Sequence, residues 1–596
     1  MVAGVRSCGD VFIPKDNKKG EKTRGKSEKF ADVVQKSQII NRKSQIFAIF
    51  AVLNEHDPMR KLCFACLLTL MLCLSSVLTA SAQEFFSLEG SWDLSLNDST
   101  HYDDYVMLPG SLETNQKGGG GFAGDAWYKK TVYIPLEWKQ KRVTLFLERC
   151  SAETTVYVNG REVGHQASRF TPHQYDVSSF IVPGYRNSIA IREKHQGEWN
   201  GVVGRMELCA QSKYVSIKQV IVSPEPVNGK LLVTVLLDCE YHPRSYIGYD
   251  NLTVMVTTND SKESIVSMGA YDIVSRKMTM LLPVNAHFTP WDEFSPKLFR
   301  LSVGVSSDYY ETTFGICQAK ADGDWLSVNG RPLFLRGVVE NSLFPKTGYS
   351  PADELPWTEM FTEVKKYGLN HVRFRSYCPP EAAFVAADLL GVYLSLEGLA
   401  TPEEQNSIIE TYGHHPSLLM ASVGEAGDGW KVPMITCQQE NQALCYKQEI
   451  ERHLGTEGRT GFLLPSLDEC SKVAGDDWRE FCSPLVILAH FPKYEYTSAD
   501  TLRVPVEVCN ALYGQISPIR KTYFITEGEH VITGGGLSSD SIPMGNTDIG
   551  TVVFPLDGIS EPTKLTLTVR IGKDVLNHWD FWVRQEATKQ EDNLNE

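Results

Sequence analysis

The sequence predicts a multidomain β plus α/β protein: an N-terminal jelly-roll sandwich, an immunoglobulin-like sandwich, an incomplete (β/α)8 TIM-type barrel and a C-terminal β-sandwich. Three observations predict it. Short runs alternating apolar and polar residues fill 84–212 and 213–318, strand and helix patterns then alternate through 319–482, and strands return over 483–585. A chain of 596 residues is also too long for one hydrophobic core.

The N-terminal stretch reads as targeting sequence. Met59-Arg60-Lys61 leads into the apolar run 62–78, and Ala80-Ser81-Ala82 follows. A charged start, a short apolar run and small residues at the end make a secretory signal peptide over 59–82, cleaved after Ala82. The run falls short of the ~20 residues a membrane span needs. This reading sets 1–58 aside as a misassigned or disordered leader, expects a periplasmic or secreted protein with no membrane anchor after cleavage, and treats 586–596 as a polar tail.

Within 84–212 the runs 131–134, 142–147 and 154–158 alternate in polarity, and Asn159-Gly160 after Val156-Tyr157-Val158 is a two-residue hairpin signal. The runs 230–237, 252–256 and 298–303 give the second unit its strands. From Leu333 the texture changes. Trp357, Phe361 and Val364 fall at helical spacing before Gly368, a strand follows at 371–375, and a second helix opens after Pro379-Pro380 and closes at Gly391. The strand 392–396 ends in Glu397, a further helix leads to Gly413, and a last one covers about 439–454. Residues 461–467 read as another strand, ending in Asp468 and Glu469.

The segment Ser417-Leu-Leu-Met-Ala-Ser-Val-Gly-Glu425 reads as a short buried strand that delivers a carboxylate into a Gly-rich turn. Barrel enzymes carry catalytic acids at the C-terminal ends of their strands. A solvent-facing Glu next to a turn has the same local pattern.

Several motifs resemble glycoside hydrolase family 2, the group of β-galactosidases, β-glucuronidases and β-mannosidases. Trp127-Tyr128-Lys129, Val156-Tyr-Val-Asn-Gly160, Thr171-Pro172 and Tyr175-Asp176-Val177 are similar to its N-terminal jelly-roll. Val328-Asn-Gly-Arg-Pro-Leu-Phe-Leu-Arg-Gly337, Gly368-Leu-Asn-His-Val-Arg373 and Gly391-Val-Tyr-Leu-Ser-Leu-Glu397 are similar to its barrel entry and its second and third strands. The resemblance implies a retaining mechanism in which one carboxylic acid protonates the leaving oxygen and a second, ~5 Å away, attacks the anomeric carbon. In the family the acid follows Ser-x-Gly-Asn; here Ser422-Val423-Gly424 runs directly into Glu425. With the Asn deleted, Glu425 is the acid/base; with the Asn replaced, Ala426 holds that position and activity is lost. The family's middle barrel strands and the nucleophile motif find no counterpart between Glu425 and Gly461, where Glu440, Glu449 and Glu451 read as solvated helix acids.

The expected substrate-contacting residues are Glu340, Arg373, Arg375, Tyr377, Glu397, Asp468 and Glu469. The expected partner is an oligosaccharide or polysaccharide fragment, with terminal β-glycosidic bonds hydrolysed. The alternative is a degenerate, non-catalytic carbohydrate binder. A net charge of −15 with no basic stripe in the folded part speaks against nucleic acid. No cofactor motif and no metal-ligand spacing appears, and the ten Cys after the cleavage site read as buried structural thiols, with room for a disulfide or two.

Overall fold

The computed structural model describes residues 84–585 except for short internal stretches, the longest of them 239–252 and 425–431. The expected leader and signal peptide, 1–82, and Glu425 therefore lie outside the described residues. No helix among the described residues is long and apolar enough to cross a membrane. The chain is mostly β, in several layered units.

The first unit pairs a five-stranded with a six-stranded sheet, all strands antiparallel. Period-two alternation turns Val143, Leu145 and Leu147 of strand Lys141–Cys150 inward, against Trp92, Tyr128, Ile189 and Ile191. Asn159 and Gly160 take φ of +52° and +78°, and strands Glu153–Val158 and Arg161–Gln166 pair across them. Two successive positive φ values define the tight hairpin turn that Asn-Gly favours. A second unit stacks two four-stranded antiparallel sheets between Ser216 and Phe314.

The central unit is a parallel sheet. Its strands are β1 (Leu335–Glu340), β2 (His371–Arg375), β3 (Tyr393–Leu399), β4 (Leu418–Val423) and β5 (Gly461–Leu464), in the spatial order β4-β3-β2-β1-β5. Helices α1 (Glu354–Lys366), α2 (Glu381–Leu390) and α3 (Pro402–Tyr412) make the crossovers, and α4 (Gln442–Leu454) precedes β5. Local chemistry sets two of their ends. Thr401 accepts a hydrogen bond from the Glu404 N–H ahead of Pro402, and Gly391 closes α2 at φ +68°. α1 buries Trp357, Phe361 and Val364, one stripe of its surface, against Val372, Phe374 and Leu394. Truncating Phe361 to Ala would cost about 3–5 kcal/mol.

The helices cover one face of the sheet. The other face carries Gly337, Val339, His371, Arg373, Ser395 and Glu397, and Trp291 of the second unit packs into the cluster on that side together with Leu326 and Leu333 of the segment after it. Trp291 is fully buried, donates from Nε1 to the Asp388 carbonyl (2.8 Å) and meets Tyr393 edge-on at 5.4 Å.

Three sequence expectations need correction. β4 is an edge strand: Leu419 is buried, but Val423 is 38% exposed, because no further strand pairs with it among the described residues. The strand before Asp468 and Glu469 ends at Leu464, and both acids are exposed in the first turn of α5 (Leu467–Val473). Ser466 accepts from the Glu469 N–H at 3.1 Å, so Ser-x-x-Glu starts a helix whose positive end favours these carboxylates. Of the α4 acids, Glu449 is a surface acid paired with Arg452. Glu451 is instead half-buried, accepting from Trp579 Nε1 (2.8 Å) and Asn577 Nδ2 (2.8 Å) of the C-terminal sandwich. Glu440 lies outside the described residues.

A disulfide joins Cys437 to Cys445 at the start of α4. Cys150, Cys317, Cys378, Cys470, Cys482 and Cys509 are buried free thiols. The C-terminal unit packs a three-stranded on a five-stranded sheet, with Val504, Val506, Leu565, Leu567 and Phe581 inside.

Candidate active site

The polar residues of the inner sheet face form a repeating diagonal. In register, His371 lies opposite Tyr393 and Arg373 opposite Ser395. The two buried polar side chains of β2 each reach the residue two positions further along β3. His371 Nε2 lies 2.7 Å from Ser395 Oγ, and Arg373 Nη1 lies 3.3 Å from Glu397 Oε2. All four residues are buried. Burial, reinforced by the Arg373 charge, holds the His371 imidazole far below its usual pKa, so it is neutral. Burial also pulls the Arg373 guanidinium down, and the Glu397 charge opposes that.

Room for this row comes from Gly337, which lies opposite His371. A Cβ there would sit 2.5 Å from His371 Nδ1 and 2.6 Å from Leu463 Cδ2. Glycine is the residue a strand uses where a neighbour approaches this closely.

The C-terminal ends of β2, β3 and β4 are tied by backbone. The Ser376 N–H donates to the Glu397 carbonyl (2.6 Å), and the Gly398 N–H donates to the Gly424 carbonyl (2.9 Å). Ser376, Gly398 and Gly424 all take left-handed φ, +52°, +73° and +67°. Ser376 is the non-glycine of the three, a conformation that a side chain adopts at a cost.

The expected site residues distribute as follows. Arg373 and Glu397 pair, and Arg375, exposed, closes β2 in register with Glu397. Glu340 ends β1 and is half-buried. Gly424, exposed, is the described residue immediately before Glu425. Tyr377 faces the N-terminal sandwich: its hydroxyl hydrogen-bonds Ser350 Oγ, and its ring meets Phe170 edge-on at 5.6 Å. The buried Arg149 of that sandwich bridges the Phe170 and Cys378 carbonyls beside it. Asp468 and Glu469 belong to α5. His371, Ser395 and Gly337 escaped the sequence reading, although i, i+2 spacing from Arg373 and Glu397 placed the first two on the same face. A separate cavity of about 730 Å³ is lined by Glu148, Arg205, Phe344, Tyr349 and Asp353; it does not include the Arg373–Glu397 pair.

Residues 81–200 match the sugar binding domain of glycosyl hydrolases family 2, and residues 500–584 match a domain of unknown function, DUF8488. A β-glucuronidase of Paenibacillus borealis is 22% identical over 370 residues, covering 55% of this chain and 60% of that protein. A β-galactosidase of Arthrobacter sp. (strain B7) is 25% identical over 352 residues, covering 57% of this chain and 32% of that one. The chain thus spans less than two thirds of the length of these relatives. Among solved structures, a β-D-glucuronidase of Dictyoglomus thermophilum aligns with a TM-score of 0.48 at 19% identity, covering 64% of this chain and 72% of that one. With its N-terminal sandwich matched by the family's sugar binding domain and with glycosidases as its relatives, the chain is glycoside hydrolase family 2-like.

Proposed function

We propose that this chain is an exported family 2-type glycosidase that cleaves terminal β-glycosidic bonds of oligosaccharides with retention, using Glu425 as acid/base. In this reading the first unit is a jelly-roll, the second an immunoglobulin-like sandwich, and the parallel sheet an incomplete (β/α)8 barrel. The observation that carries it is the gathering, at the C-terminal ends of β2, β3 and β4, of Arg375, the Arg373–Glu397 pair and the Gly424 turn one residue before Glu425. Parallel α/β folds bind ligands at that end of their strands.

Glu425, protonated, gives its proton to the glycosidic oxygen as the bond to the leaving sugar breaks. A second carboxylate attacks the anomeric carbon and forms a glycosyl ester. Glu425, now ionised, takes a proton from water, which hydrolyses that ester and restores the enzyme. The two arginines supply donors for sugar hydroxyls or a carboxylate. The match to a sugar binding domain and the relatives' names support the carbohydrate partner, and the Cys437–Cys445 disulfide supports export to a periplasmic or extracellular, oxidising compartment.

A second reading, binding without turnover, is favoured by one observation. Among the described residues the sheet has five parallel strands, and Glu397 at the end of β3 is already neutralised by Arg373. Aryl β-glycosides and oligosaccharide calorimetry separate the two. Turnover abolished by Glu425→Gln sustains hydrolysis. Saturable binding without turnover, untouched by that substitution, sustains the binding reading, and the absence of both rejects each.

A further inference from the structure

The turn that delivers the chain into β4 carries a group of side chains that the sheet chemistry does not use. After α3 the chain passes through Gly413-His414-His415-Pro416-Ser417. The His415 side chain is 3% exposed, and its ring stacks on Phe384 at 5.3 Å. Its Nδ1 lies 2.6 Å from Asp388 Oδ2, and Asp388 Oδ1 accepts the Ser417 N–H at 3.0 Å. With Nδ1 committed to that carboxylate, Nε2 is the ring nitrogen left to meet another group. That atom is buried and has no hydrogen-bond partner. An unmatched buried polar atom of this kind is a standing cost to the fold unless something outside the chain meets it.

Two further metal-ligating side chains lie close to His415. His414 lies beside His415, ring centroids 4.2 Å apart, and Glu381 opens α2. One ligand atom from each of Glu381, His414 and His415 lies within 4.8 Å of the other two. Glu381 contacts Arg205 through Oε2 at 3.2 Å, and Arg205 is shared with Glu148 at 3.0 Å.

We propose that Glu381, His414 and His415 bind a divalent transition-metal ion of the zinc type, leaving a fourth position for water. Two imidazoles and one carboxylate form a donor set that zinc takes, and a carboxylate behind a ligating imidazole, here Asp388, is the arrangement that orients such ligands. Metal–ligand bonds of ~2.1 Å put tetrahedral ligand atoms about 3.4 Å apart. The half-buried Glu381 and His414 make that inward movement while the buried His415 stays fixed. The ion ties the start of α2 to the turn entering the edge strand β4, a role independent of whether the strand ends hydrolyse sugars. The sequence spacing concealed it because Glu381 is remote in the chain from the two histidines.

The test uses the full chain, stripped with a chelator and titrated calorimetrically with ZnCl2. The expected result is one equivalent of tight binding, a higher Tm with Zn2+, and intense visible absorption with Co2+ as the tetrahedral reporter. His414→Ala and the near-isosteric Glu381→Gln should each weaken Zn2+ binding at least tenfold, with apo melting verifying that both fold. No stoichiometric binding, or binding that both substitutions leave unchanged, overturns the proposal.

Discussion

Arg373 and Glu397 form an ion pair at 3.3 Å across β2 and β3, with 6% and 9% of their side chains exposed. A pair so buried contributes little net stability but is costly to break, because the survivor is a buried charge without its partner. Glu397→Leu alone should therefore destabilise by about 3–5 kcal/mol, and the double change Arg373→Met/Glu397→Leu should recover most of that. Urea denaturation of the three proteins checks it; a double variant as unstable as the single one would mean that the pair is not the cause.

Gly337 and His371 are coupled by space alone. Gly337→Ala should cost about 1–3 kcal/mol, because the new methyl group meets the imidazole and Leu463 at once. In a His371→Ala background the penalty should shrink, giving a measurable coupling in a double-mutant cycle. Equal penalties in both backgrounds would locate the strain at Leu463 instead.

Two buried groups of the N-terminal sandwich make stability depend on pH with opposite signs. Glu193, fully buried, accepts from Tyr128 and from the Gly201 N–H, yet burial raises its pKa to about 7. Between pH ~4.5 and 7 the folded state holds the proton that the unfolded chain has released, so this group's contribution falls as pH rises, by at most ~1.4 kcal/mol per pH unit. His173 is the reverse. Burial lowers it to about 4, so the unfolded chain takes up a proton that the folded state refuses, and stability is lost as pH falls from ~6.5 towards 4. Relative to the parent, Glu193→Gln should gain Tm as pH rises from 5 to 8, and His173→Gln should gain Tm as pH falls. Melting curves across that range test both slopes.

Glu425→Gln should lower kcat/KM, which reports the step that expels the leaving group, by about 10²–10⁴-fold on an aryl β-glycoside with a poor leaving group, the usual worth of a general acid. An aryl leaving group that needs no protonation should suffer least. Uniform loss across leaving groups would argue against the acid role.

Much of this protein is local, and the sequence alone determined that part. Asn159-Gly160 set a hairpin because two left-handed residues are cheap there, Gly391 closed α2, and period-two and period-3.6 patterns separated the sandwiches from the alternating unit. Relations between distant segments were decided only by the tertiary structure. An apolar run such as 418–423 reads alike whether it lies inside a sheet or on its rim, and the absence of a further pairing strand among the described residues made β4 an edge. Asp468 and Glu469 look like strand-end acids until Ser466 is seen to cap a helix. Glu451 looks like a surface acid until Trp579, far along the chain, donates to it. The diagonal from Arg373 to Glu397 and the meeting of Glu381 with His414 and His415 depend on strand register and helix placement. Those are set by burial summed over the whole sheet, which no local window of sequence contains.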